Sequence, residues 1–218
     1  MNIVFAYPTG LNPQKGGVER ITDIIAKILL KRGYTIFYLN WKREQDNYEY
    51  PVPVIDLPSS NLEDPNNLEV YNRFLKENRI DVIINQHGLY EGTYFLSQVK
   101  VQNVKIISVL HSDPFGYYNH LFADLMTLRD SSIKEKVKRV ARFFLYRKVK
   151  KIIHRSLVNH YTFIQEHPQY VCLLSESYKE RLEEYCDLPD NYFISIPNPN
   201  TYENIEIIPH KEPILLFV

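Results

Sequence analysis

Cysteine is scarce in this chain, with only Cys172 and Cys186 in 218 residues. Two cysteines cannot build a disulfide framework. Cys172, inside the apolar run YVCLLS, is expected to be a small buried hydrophobe, as suits a reducing compartment. Long hydrophobic runs are missing too. No window reaches 18 uninterrupted apolar residues, so no membrane span is expected, and the opening MNIVFAYP lacks the basic start of a secretory signal. The expectation is a cytoplasmic protein. An excess of charge of either sign is also lacking, since 26 Lys and Arg balance 26 Asp and Glu. Bulk charge therefore offers no argument for nucleic acid as a partner. Several phosphate motifs are absent as well. Neither G-x-G-x-x-G nor G-K-[ST] occurs, which disfavours a dinucleotide dehydrogenase and a P-loop enzyme. FAYPTG has no acidic pair after the first strand, which disfavours a phosphoacceptor receiver domain.

What is present is a core-forming composition, 44% hydrophobic and 24% charged, in a pattern of short apolar runs alternating with helical periods. Strands are expected at 2–7, 34–41, 52–57, 80–87, 105–112, 170–175 and 192–198. Helices are expected at 18–32, 65–79, 91–100, over a long stretch at 117–167, and at 177–186. The third strand, VPVIDL, carries prolines and belongs near a sheet edge. Runs such as DVIIN and KIISVL are apolar without alternation, as in parallel strands covered on both faces. The fold class expected is α/β, a Rossmann-like doubly wound parallel sheet with helices on both faces. Residues 1–200 are expected to form this domain.

Only seven glycines occur, and two are adjacent, Gly16 and Gly17, opening the first helix. Glycine there packs nothing, so its use points to something approaching the backbone, and a helix N-terminus favours an anion. Gly10, Gly88, Gly92 and Gly116 also follow strands. His87 and His111 close theirs, in NQHG and VLHSDPF. In open α/β sheets ligands sit at that edge. The alternative is that loops simply collect glycine and that each histidine is structural.

The stretch GGVERITDIIAKILLKRGYTIFYL resembles the opening of a retaining GT-B glycosyltransferase of family 4. IISVLHSDPF is similar to that family's strand ending in His, and CLLSESYKERLEEY with FISIPNPN to its later helix and I-P-N hinge. The resemblance implies the N-terminal, acceptor-side half of a GT-B fold. Residues 201–218, a proline-rich linker ending in ILLFV, would then lead into a second, donor-binding domain that the chain lacks. It implies that Gly16 and Gly17 lie against the donor diphosphate, and that His111 is catalytic and reaches the transferred sugar. Glu19 matches the acidic position of the first motif, where capping the helix start is the alternative. His87, Gly88 and Asp113 are further candidates for lining the site, although HSDPF displaces Asp113 by one from the family's pairing. The partners implied are a nucleotide-sugar donor and a saccharide or lipid-linked acceptor in polysaccharide or envelope synthesis. No cofactor and no metal are implied, the nucleotide-sugar serving as co-substrate. The chain alone is expected to be inactive. The rivals are a GT-B-fold sugar-nucleotide epimerase half and a non-catalytic α/β binding module.

Neutral overall charge hides an asymmetry. Residues 129–155 hold eleven Lys and Arg against two acids. Nine apolar residues from Ile133 to Ile153 are expected to form one stripe with the cations opposite. Either this is a core helix with a solvated face, or it is a membrane-surface helix on the inner leaflet, with Lys134, Lys138, Arg142 and Lys148 meeting anionic lipid. Nucleic acid fits less well, since no aromatic platform is interleaved.

Overall fold

A computed structural model describes residues 1–42, 47–88, 91–127, 132–167, 169–183 and 189–198. The expected linker and strand at 201–218 lie outside the described residues, as does Cys186. The first strand, β1 (Asn2–Tyr7), buries four consecutive residues, Ile3 to Ala6, because it is central and covered on both faces. After it come α1 (Gly17–Lys31), β2 (Thr35–Asn40), β3 (Val54–Asp56), α2 (Pro65–Glu77), β4 (Val82–Asn85), α3 (Glu91–Leu96) and β5 (Lys105–Leu110). Then follow α4 (Gly116–Met126), α5 (Ile133–Glu166), β6 (Tyr170–Leu173), α6 (Glu176–Glu183) and β7 (Phe193–Ser195).

The seven strands form one sheet in the order β3-β2-β1-β4-β5-β6-β7, every neighbouring pair parallel. This is the doubly wound, Rossmann-like arrangement, with proline-flanked β3 at one edge. Strand order reverses between β1 and β4, where Phe5 lies level with Tyr38 on one side and Ile84 on the other. Local chemistry sets the helix ends. Gly33 (φ 83°) closes α1, its amide reaching Leu30 O at 2.9 Å while Tyr34 N reaches Leu29 O at 3.2 Å, the Schellman pattern. Asp64 caps α2 by accepting from Asn66 N at 2.9 Å, with Pro65 in the first turn where no amide is needed.

Helices lie on both faces. On one, α1 covers Ile3, Phe5, Ile36 and Tyr38. On the other, α2 and α3 bury Val4, Leu39, Ile83 and Ile106 beneath Tyr71, Phe74, Leu75 and Phe95. That layer continues as Tyr161 and Ile164 of α5 and Leu182 of α6 against Leu110, Val171 and Leu173. Among the described residues, coverage is unequal along the sheet. Beyond α1 on its face, Val82, Ile84, Ile107, Val109, Cys172 and Ile194 line a cavity of about 410 Å³ walled by Ile21 and Ile25. Among the described residues, most helices pack on the opposite face. Cys172 is buried, as expected.

The expected helical stretch at 117–167 is two helices. Ser132 caps α5, its Oγ accepting from Glu135 N at 3.2 Å. At 34 residues, α5 is about 51 Å long. Its second half enters the core, while its first half packs on α4 through Phe122 against Tyr146 and Lys150 Nζ over the Tyr118 ring at 4.8 Å. The single stripe with opposite cations does not form. At about 100° per residue, Ile133, Val137, Val140 and Phe144 share one face. The next apolar residues rotate away from it, leaving Val149 and Ile153 half-buried on the packed side. Lys148, Lys151 and Arg155 then fall in line behind Phe144 on the outward face.

Candidate functional site

Strand register assembles the site at the carboxyl edge of β1, β4 and β5. Ile84 of β4 is level with Ile107 of β5, so with period-2 alternation Gln86 and His111 leave the sheet on the same face. His111 Nε2 lies 2.6 Å from Gln86 Oε1. The glutamine oxygen accepts, so Nε2 carries the proton and Nδ1 is the ring nitrogen left for a ligand. Burial holds the His111 imidazole below its ordinary range, which keeps it neutral at neutral pH.

These two residues border a cleft of about 250 Å³ with Tyr7, Val18, His87, Gly88, Val109, Leu110 and Ser112. It opens where strand order reverses, the place where open α/β sheets bind ligands. His87 stands edge-on to Tyr7, with ring centroids 6.0 Å apart, and tilted against buried Trp41 at 6.3 Å. Desolvation, then the Lys42 charge, push its pKa down to about 4.

Gly88 has a structural reason to be glycine. A Cβ there would lie 2.7 Å from Val109 O and 2.9 Å from Leu110 Cδ2, so the β4–α3 loop rests directly on β5. The Gly88 carbonyl accepts from Thr93 Oγ1 at 3.1 Å and from His160 Nε2 of α5 at 3.0 Å. Below the loop runs a buried polar chain. Asn85 Nδ2 donates to Thr93 Oγ1 (3.0 Å) and Ser108 Oγ (3.2 Å), Ser108 Oγ donates to Gln169 Oε1 (3.0 Å), and Asn85 Oδ1 receives His87 N (3.0 Å). A satisfied network of this kind makes the strand ends rigid.

The adjacent glycines divide between two situations. A Cβ on Gly16 would sit 2.5 Å from Glu19 Oε2, so Gly16 leaves room for the buried Glu19 side chain to fold back over the helix start. A Cβ on Gly17 would meet nothing within 4 Å. Its neighbour Val18 lines the cleft together with His111.

Asp113 is engaged elsewhere. Its Oδ1 accepts from Phe115 N at 2.9 Å at the start of α4, and its Oδ2 pairs with Arg181 of α6. It is not among the residues around the cleft. Of the four cations expected at a membrane, Lys134, Lys138 and Lys148 are exposed. Arg142 is half-buried and held at 3.0 Å by Glu135, which also has Lys138 within 3.9 Å. Among the described residues, no cluster of three His, Cys, Asp or Glu could hold a metal, and no helix is long and apolar enough to cross a membrane.

Sequence reasoning did not single out Gln86, Tyr7, Ser112 or His160. Gln86 was within reach, since alternation along the β4 strand places it on the face of His111. His160 lies 72 residues from Gly88 in a helix whose periodicity says nothing about the loop it contacts.

A solved structure described as a putative epimerase from Burkholderia cenocepacia J2315 is 12% identical, with a TM-score of 0.37, over 79% of this chain and 52% of its own. The chain thus spans about half the length of that protein. No curated protein matches. Residues 15–199, which contain the glycine pair, both cleft histidines and all strands from β2 to β7, match the Glycosyltransferase Family 4 as a whole. With that match spread over most of its length, on a parallel sheet whose switch point carries the cleft, the chain belongs to Glycosyltransferase Family 4.

Proposed function

We propose that this chain is the acceptor-side half of a glycosyltransferase that moves a sugar from a nucleotide-sugar to a saccharide or lipid-linked acceptor. One observation carries the reading: a neutral His111, held by Gln86 at 2.6 Å, lines the switch-point cleft beside the unobstructed first turn of α1. In this reading His111 Nδ1 accepts a hydrogen bond from a hydroxyl of the transferred sugar and fixes its orientation. A neutral imidazole with a free lone pair suits that task better than charge donation. The α1 amides around Gly17 face the donor diphosphate, where helix-terminal donors stabilise the charge that builds on the leaving group. Glu19 closes the Gly16 side, so approach comes over Gly17. The nucleotide pocket belongs to a donor-binding domain outside these residues.

The test is nucleotide diphosphate release by the full-length protein, over a panel of nucleotide-sugars with and without saccharide or lipid-linked acceptors. Release that depends on acceptor is the expected result. Isomerised sugar-nucleotide formed without acceptor would mark an epimerase, and no turnover of any donor would mark a binding module. In the active protein, His111→Ala lowers kcat roughly 10²-fold. Gly17→Val lowers kcat with little change in stability, because the fold leaves room for its side chain. A Gly17→Val enzyme with unchanged kcat would remove the diphosphate from this turn.

A further inference from the structure

Exposed apolar residues gather on the first half of α5. Ile133 is 80% exposed, Phe144 78%, Val137 63% and Val140 59%. Steps of four, three and four return Phe144 to within about 20° of Ile133, so these four form one outward line three turns long. Phe143 and Leu145 are also exposed. Single exposed hydrophobes are ordinary, but a contiguous apolar face on one helix is not.

The charges around this face have one sign. From Ile133 to Arg155 the helix carries ten Lys and Arg and a single acid, Glu135. Glu135 is buried, beneath Arg142. The outward side of this stretch therefore presents no carboxylate. Lys134 and Lys136 flank the apolar line on either side, Arg147 and Lys148 flank Phe144, and Lys151 and Arg155 continue behind it. All six are exposed.

We propose that this face of α5 docks on an anionic lipid bilayer, with Ile133, Val137, Val140 and Phe144 entering the boundary between headgroups and acyl chains and the flanking cations meeting the headgroups. The proposal is independent of the transfer chemistry. Charge complementarity selects this occupant. A second copy would bring two strongly cationic faces together, and nucleic acid would leave the apolar line without a partner. Lys136 and Arg147 join Lys134, Lys138 and Lys148 among the exposed cations of this stretch, whereas Arg142 is half-buried against Glu135.

The experiment is co-sedimentation of the whole chain with vesicles of phosphatidylcholine alone, or of phosphatidylcholine and phosphatidylglycerol in equal parts, at low and high salt. Two variants accompany the wild type, each shown to be folded by circular dichroism. One carries Ile133→Ser, Val140→Ser and Phe144→Ser with all charges kept. The other carries Lys134→Gln, Lys136→Gln, Arg147→Gln and Lys148→Gln with the apolar line kept. Wild type is expected to bind the anionic vesicles only, and to be released as salt shortens the Debye length to about 3 Å at 1 M. The cation variant should lose up to about 10³-fold in partitioning, and the serine variant tenfold or more. Folded wild type left in the supernatant with anionic vesicles at low salt overturns the proposal. So does a serine variant that binds like wild type, and so does concentration-dependent dimerisation of wild type that the serine changes abolish without any vesicle binding.

Discussion

At its C-terminal end α5 buries Tyr161 and Ile164 among Leu110, Val171 and Leu173, and His160 donates to the Gly88 carbonyl at 3.0 Å. At its N-terminal end the same helix turns Ile133, Val137, Val140 and Phe144 to solvent. Both ends carry apolar residues at helical spacing, yet one end holds the loop that bears the cleft and the other holds nothing of the sheet. The difference lies in what each end passes over. The second half of α5 packs against residues of β5 and β6, whereas the first half, among the described residues, packs on α4. An apolar period on a helix therefore says which residues share a face, and leaves open whether that face is covered.

The comparison breaks most visibly at Tyr161. Tyr161→Ala should cost about 3–5 kcal/mol in urea unfolding, as expected for a large buried aromatic. A cost under about 1 kcal/mol would show that this end of α5 is not integral to the core. Gly88→Ala should cost about 1–3 kcal/mol, because its Cβ meets the β5 backbone rather than a movable side chain. A neutral effect on the unfolding midpoint would mean that the loop lifts freely from β5.

Acidification gives the next effect. His87, His111 and His160 all titrate below the ordinary histidine range in the folded chain, chiefly through desolvation, so between about pH 6.5 and pH 4 the unfolded chain binds more protons than the native one. Stability is greatest above that window and falls as the pH drops through it. Urea midpoints at pH 7 and pH 5 should show the loss, and His87→Gln should flatten it. A midpoint that rises toward pH 5 would contradict the buried, neutral state of these rings. The smallest effect is expected at the other end of α5, where Phe144→Ala should change stability by less than about 0.5 kcal/mol. A larger loss would place Phe144 in a packed core and remove the outward face.

The seven glycines show how unevenly the site was legible. Gly16, Gly17 and Gly88 were found from their place after strands, but their reasons differ. Gly16 accommodates Glu19, Gly88 accommodates the β5 backbone, and only Gly17 borders open space. Position along the chain told where glycine sits, while the atoms that would meet a Cβ come from distant segments. His111 was legible as a strand-ending histidine. Its partner Gln86 and its neutral state depend on register and burial. Asp113 has the residue type of a site group, yet its ion pair with Arg181, 68 residues away, ties the β5–α4 loop to α6.

By itself the sequence determined the parallel α/β sheet, the gathering of glycines and histidines at its carboxyl edge, and the cationic character of α5. Those follow from local periodicity, composition and the rule that parallel strands are joined by helices. Tertiary structure alone decided which histidine meets which glutamine, that His160 fastens the Gly88 loop, and that one end of α5 is buried while the other faces water. These depend on contacts between residues 25 to 72 apart. A local pattern records that a residue is apolar or titratable; what covers it or desolvates it depends on how the chain packs across the sheet.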